Sequence, residues 1–279
     1  MEISLKPTQN KNNLSKKWVN QNGNWLVLIS GFLVLLIWYL VTDWSDLPAF
    51  ILPSPLMIWT TFVRTLLDGS LVWHFSLTLL EVLLGLTAGS FLATMIGYFL
   101  AKSSTLEQIL SPYLVASQAI PTVAIAPLLV IWFGPGLFSK ILIAGLIVFF
   151  PVLVNTVVGV KSVPQDLRDL MRSLRATRSQ TLRYLEIPAA LPVFLGGLRV
   201  GATLSVIGAV VGEFVGADRG LGFLISVGRG QYDTALVFVA VFALIGMALG
   251  LYGTVILMER KLLIWQHHNQ KSSTTEIEN

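Results

Sequence analysis

Between Lys140 and Lys161 runs ILIAGLIVFFPVLVNTVVGV, Ile141 to Val160, without one charged side chain. A helix rises about 1.5 Å per residue, so a run of this length covers the roughly 30 Å of hydrocarbon in a bilayer. Lipid offers an open backbone no hydrogen-bond partner, which leaves helix as the form the run takes there. A large soluble core could also hide it, but composition argues against that. The 279 residues are 54% hydrophobic and 12% charged, against about a quarter charged in ordinary soluble domains. Mean hydropathy is +0.73. The chain is therefore read as an all-α integral membrane protein.

Further apolar runs bring the expected number of transmembrane helices to six: WLVLISGFLVLLIWYLVT, Trp25 to Thr42, and stretches at about 79–101, 112–133, 193–215 and 234–258. The first has no small-residue cleavage site and a longer apolar core than a secretory signal, so it is read as a retained helix. Polar tails are expected at 1–24 and 262–279, flanking a membrane domain at 25–261. With 0 cysteines, disulfides and thiolate metal sites are excluded. His74, His267 and His268 show no metal-ligand spacing, and no metal site is expected.

Basic residues orient the spans. With the N-terminus in the cytoplasm, Lys6, Lys11, Lys16, Lys17, Lys102, Lys161, Arg168, Arg172, Arg175, Arg178, Arg183, Arg199, Arg260, Lys261 and Lys271 fall inside, fifteen of the 19 Lys and Arg. Only Arg64, Lys140, Arg219 and Arg229 fall outside. That excess predicts both termini in the cytoplasm, together with the loop at about 161–190 between the fourth and fifth spans. The pI near 9.4 thus reflects topology and contact with anionic lipid headgroups, not nucleic acid.

The loop carries more than charge. Leu167, Leu170, Met171 and Leu174 recur at helical spacing, and RSQTLRYLEI starts a second short helix. A pair of short helices, apolar on one side and basic on the other, is a surface for another protein. Asp169, Leu170 and Met171, then Arg175, then LEIP from Leu185 through Ile187 to Pro188, resemble the cytoplasmic EAA loop of ATP-binding cassette (ABC) importer permeases. The wording AIAPLLVIWFGPG, FFPVLVNTVVGV and GAVVGEFVGADRGLGFLI is similar in particular to permeases of the nitrate, sulfonate and taurine type, a branch that includes pyrimidine-precursor and riboflavin permeases. Two positions depart from the pattern. Arg175 stands where the family has glycine, at a turn where positive φ is costly for a side chain with a Cβ, and Leu170 and Met171 replace two small residues. Either the turn is built differently, or helix continues through Arg175.

The resemblance implies a loop that docks on a separate ATPase subunit through Asp169, Leu170, Met171, Arg172, Arg175, Arg178, Leu185, Ile187 and Pro188. It also implies a substrate-binding protein on the outer side and two copies of the permease. No G-x-x-x-x-G-K-[ST] phosphate loop occurs in the sequence, so no cofactor is expected in this chain and ATP and Mg are left to the partner. No catalytic residues are expected, since neither a Ser/His/Asp set nor an HExxH motif is present.

In the fifth span Gly197, Gly201, Ser205, Gly208, Gly212 and Gly216 follow at intervals of four or three, which places them on one helical face. That face either packs on a neighbouring span or, with Glu213, meets a second copy or lines the pathway. Gln118, Thr122 and Asn155 lie near Pro121, Pro127 and Pro151, where proline-freed carbonyls make broken helices and pathway linings. Glu81 is expected to pair with a basic or hydroxyl neighbour. On the outer side, LPSP at 52–55 precedes an expected amphipathic helix, and GADRGLGFLISVGRGQYD reads as a half-inserted loop in which Arg219 and Arg229 balance Asp218 and Asp233. An ion-coupled secondary transporter is the competing reading. It would use intramembrane acids and inverted repeats, of which only two marginal acids appear.

Overall fold

A computed structural model describes residues 12–45, 48–118 and 121–264. Lys6, Lys11, Lys271, His267 and His268 lie outside the described residues, and so do the side chains of Lys16 and Lys17. The described chain is helical throughout, without strands. Its helices are α1 (Asn12–Trp44), α2 (Pro55–Leu67), α3 (Ser70–Lys102), α4 (Ser104–Gln118), α5 (Thr122–Phe133), α6 (Leu137–Lys161), α7 (Gln165–Ser173), α8 (Arg178–Thr181), α9 (Ile187–Gly216), α10 (Leu221–Gly230) and α11 (Thr234–Leu262).

Four helices are long and apolar enough to cross a membrane: Ser70–Lys102, Leu137–Lys161, Arg178–Gly216 and Thr234–Leu262. The described apolar part of α1, Leu28–Trp44, is shorter. The run at 112–133 is not one helix. Pro121 caps α5 with φ −61 and ψ 113, an extended geometry that a continuous helix does not contain. The run therefore divides into α4 and α5, each under the length of a span. Phe91, Ile131 and Leu249 point outward with more than 60% of their surface exposed. Such a surface suits hydrocarbon and would make a soluble monomer associate.

Helix α6 is the central element, with α3 on one side and α9 on the other. The α3–α6 approach is backbone to backbone: a Cβ on Gly89 would lie 2.5 Å from the Gly145 carbonyl oxygen. Gly85, Gly89, Ala93 and Gly97 recur every fourth residue along the same face of α3, and all are buried. Around these contacts Ala93, Val148, Val152 and Leu153 form one apolar core, and a second joins Val82, Val206, Leu221 and Val239 at the end of the bundle that carries α2 and α10. Helix α2 follows LPSP as expected. Ser54 accepts a hydrogen bond from the Met57 N–H at 3.3 Å and Pro55 supplies a preset φ. Its Ile58 and Phe62 rest on this second core.

Candidate functional site

The loop after α6 is built from local capping signals. Helix α7 exposes Leu167, Leu170 and Leu174 on one stripe, Leu174 by 68%. It ends on Arg175, whose φ is +52. The Ala176 N–H donates to the Met171 carbonyl at 3.0 Å and the Arg175 N–H to the Arg172 carbonyl at 2.9 Å. This pair of bonds is a Schellman motif, which normally places glycine at the left-handed position. The turn therefore keeps glycine-type geometry with an arginine in it. Thr177 then opens α8 with a capping box: Thr177 accepts from the Gln180 N–H at 3.3 Å and the Gln180 carboxamide accepts from the Thr177 N–H at 2.8 Å.

The second short helix expected in this loop is not a separate element. From Arg178 to Gly216 the chain is one continuous helix of 39 residues, widened to a π turn over Leu182–Glu186. Pro188 accounts for the widening. It lacks an N–H and its ring collides with the carbonyl four residues back, that of Tyr184. The Ile187 N–H donates instead to the Leu182 carbonyl, adding a residue to the turn without breaking the helix. Of the loop residues singled out, Asp169, Leu170, Arg172, Arg175 and Arg178 are exposed, Met171, Leu185 and Pro188 are half-buried, and Ile187 is 50% exposed.

The loop is pinned to the bundle from below. Glu186, buried within the π turn, pairs with Lys102 at the end of α3 and accepts from the Tyr98 hydroxyl at 3.2 Å. Arg168 of α7 donates to the Val160 carbonyl at 2.7 Å, and Lys161 pairs with Glu107 of α4. At the far end of the same long helix, Glu213 is buried and accepts from the Thr78 hydroxyl at 2.6 Å and from the Gly222 N–H. The Leu221 N–H donates to Thr78 Oγ1 at 2.8 Å and the Gly220 N–H to His74 Nδ1 at 2.9 Å. Three successive N–H groups at the start of α10 are thus held by side chains of α3 and α9, as a helix N-terminus requires when it is buried. Gly220 has φ +114, and a Cβ there would lie 2.0 Å from the Glu213 carboxylate.

Residues 85–263 match the family described as binding-protein-dependent transport system inner membrane components. The chain belongs to this family. The permease is 48% identical over 234 residues to the riboflavin transport system permease protein RibX of Chloroflexus aurantiacus, covering 84% of this chain and 87% of that one. It is 35% identical over 236 residues to the formylaminopyrimidine transport permease protein ThiX of Halalkalibacterium halodurans, covering 84% and 93%. In fold it resembles the MetNI methionine ABC transporter in inward-facing conformations, with a TM-score of 0.62 at 18% identity over 70% of this chain and 97% of that chain. The permease is therefore a transport subunit of an ABC system.

Of the two readings of the glycine face of α9, packing within the chain is the one the structure realises. A Cβ on Gly208 would lie 2.6 Å from Ala144 Cα, one on Gly212 3.2 Å from Lys140 Cγ and one on Gly201 3.2 Å from Val148 Cγ1. Ser205 is fully buried and donates back to Ala202 at 2.8 Å. This face of the permease is filled by its own α6 and is not free for a second copy. Lys140, covered by Gly212, meets Glu81 at 2.7 Å, both side chains nearly out of reach of solvent. Glu213, placed by sequence on the same face, is spent on α10. By contrast Gln118, Thr122 and Asn155 come together, lining one cavity of about 450 Å³ with Phe150, Pro151 and Val154. Asn155 donates to the Pro151 carbonyl at 2.8 Å and Gln118 to the Leu114 carbonyl at 3.4 Å. The His74, Thr78 and Glu213 caps were not foreseen from sequence. The acid three residues before the GADRG turn was their one visible trace.

Proposed function

We propose that this chain is the membrane-spanning subunit of an ATP-driven importer, crossing the cytoplasmic membrane six times with both termini in the cytoplasm. Its 161–190 loop is the surface on which an ABC ATPase, carrying ATP and Mg, docks through Leu170, Arg172, Arg175 and Arg178. It catalyses no reaction itself. A substrate-binding protein delivers solute to the outer face around α10, and two copies, or this chain with a related permease, enclose the route.

The observation that carries this reading is the continuity of the helix from Arg178 to Gly216. At about 1.5 Å per residue it spans the whole bilayer, so a displacement imposed at Arg178 reaches Glu213, and through Glu213 the first turn of α10. The π turn at Leu182–Glu186 bends without breaking, and Glu186 fixes that point to α3. Closure of the ATPase would then shift the outer seal on α10 through a rigid rod, without a chain of loop rearrangements.

The cavity at Gln118, Thr122 and Asn155 supports a pathway role for those residues and bears on cargo. Two carboxamides, a hydroxyl and the Phe150 ring line it, and none of its lining residues is charged. That lining favours a neutral, ring-bearing organic solute over a nitrate-, sulfonate- or taurine-like anion, which would need cations or aimed N–H donors in a dry site. The names of the two relatives, a riboflavin and a formylaminopyrimidine permease, agree with this class. In the assembled transporter, Arg172→Glu or Arg178→Glu should abolish substrate-stimulated ATP hydrolysis while membrane insertion is unchanged. Full stimulation in both variants would refute the docking role. Uptake by the permease alone in vesicles, driven by an ion gradient without ATPase, would instead support a secondary transporter.

A further inference from the structure

Beneath the loop, where α3 ends, lies a cavity of about 800 Å³ lined by Lys102, Arg168, Arg172 and Arg178. We propose that this cavity and the apolar crevice that continues from it form a binding site for one anionic phospholipid, its phosphodiester on the arginines and one acyl chain in the crevice.

The charge is not used up within the protein. Lys102 is paired with Glu186, and Arg172 with Asp169 at 3.0 Å. Arg168 gives one hydrogen bond to a neutral carbonyl, that of Val160, which leaves its positive charge uncompensated. Arg178 meets no acid among the described residues. Two guanidinium groups thus face a site of polar-headgroup size, and guanidinium presents paired N–H donors that match phosphate oxygens.

The second observation is the crevice. It measures about 520 Å³, shares Tyr98, Phe99 and Glu186 with the basic cavity, and runs on between α3, α6 and α9 past Met95, Leu191 and Phe194. A free phosphate or a nucleotide would fill the basic end and leave this apolar slot empty. A lipid fills both at once, and the position of the site at the end of α3 is that of headgroups. The cytoplasmic leaflet is the anionic one, so only the choice of leaflet rests on the proposed orientation. Binding in detergent tests the site independently of orientation, and with no ATPase present to take up Arg172 and Arg178.

The purified permease in detergent is titrated with phosphatidylglycerol and, separately, phosphatidylethanolamine of the same acyl chains, and bound lipid is counted by native mass spectrometry. Phosphatidylglycerol is expected to bind at least tenfold more tightly. Arg178→Gln and Arg168→Gln should each weaken it about fivefold, the worth of one basic residue near a charged lipid, and weaken phosphatidylethanolamine less, because its ammonium offsets the charge of the same phosphodiester. Leu191→Trp, which fills the crevice, should abolish the bound lipid. Arg178 is exposed, so its variant keeps the test usable should Arg168→Gln not fold. Arg64→Gln removes the same charge at the other end of the molecule and should have no effect. Equal binding of the two lipids, equal loss in Arg64→Gln, or unchanged binding in Leu191→Trp would each overturn the proposal. So would inorganic phosphate or deacylated glycerophosphoglycerol competing as well as the intact lipid, which marks a free-anion site, or lipid confined to monomers, which assigns the crevice to a second copy.

Discussion

Replacing Arg175 by glycine should stabilise the loop, because the native turn holds a bulky residue at φ +52. The left-handed region costs a residue with a Cβ about 1–2 kcal/mol, a cost that glycine does not bear. Glycine also gains freedom when the loop opens, which returns about 0.4–1 kcal/mol to the open state. The net gain is about 0.5–1 kcal/mol. Local opening is read by amide hydrogen exchange, and since about 1.4 kcal/mol is a factor of ten, exchange of the Leu174, Arg175 and Ala176 amides should slow about two- to fivefold after correction for intrinsic rates. Those amides carry the bonds to Leu170, Arg172 and Met171 that close the helix end. Arg175→Ala keeps the Cβ and removes the charge, so it should show no such slowing. Unchanged exchange in the glycine variant, or equal slowing in the alanine variant, would show that backbone strain is not what the arginine imposes.

Gly208→Leu should give misfolded or aggregated protein and not well-behaved monomers, because even a Cβ at Gly208 would meet Ala144 Cα at 2.6 Å; size-exclusion chromatography in detergent reads the outcome, and a monodisperse variant would contradict the packing described. Glu213→Ala leaves the Gly222 N–H without a partner, while the Thr78 hydroxyl keeps the His74 carbonyl at 3.2 Å as an acceptor, a loss of about 1–3 kcal/mol, measurable as a lower thermal midpoint and as faster exchange at the start of α10. Glu81→Leu alone should cost about 3–5 kcal/mol by stranding the charge of Lys140, whereas Glu81→Leu with Lys140→Met should recover most of the loss, and a double mutant no better than the single would argue against a simple buried pair.

Charge-free runs give the long helices away in the sequence, because a period-independent apolar stretch bracketed by basic residues has few other fates. The loop was legible for a similar reason, its leucines recurring at helical spacing. Four features were less so. The run at 112–133 looked continuous because hydropathy is blind to Pro121, whose effect lies in the backbone. The π turn depends on how a helix absorbs Pro188, which no local pattern encodes. For the close α3–α6 contact, Gly85, Gly89, Ala93 and Gly97 recur at intervals of four in the sequence, as the small residues of α9 nearly do, but a stripe of small residues does not say which helix it faces. The caps at His74, Thr78 and Glu213 join positions more than 130 residues apart, a separation that only the packed bundle brings to contact distance.

The central claim is that the Arg175 loop grips a separate ATPase in the cytoplasm. The chain has 0 cysteines, so Leu170→Cys introduces a unique thiol on the exposed stripe of α7. In membranes carrying the assembled transporter, a short photoactivatable cross-linker attached to the Leu170→Cys thiol should join it to the ATPase subunit. Cross-linking to the substrate-binding protein instead, or modification of the thiol in intact cells by a reagent that cannot cross the membrane, would contradict it.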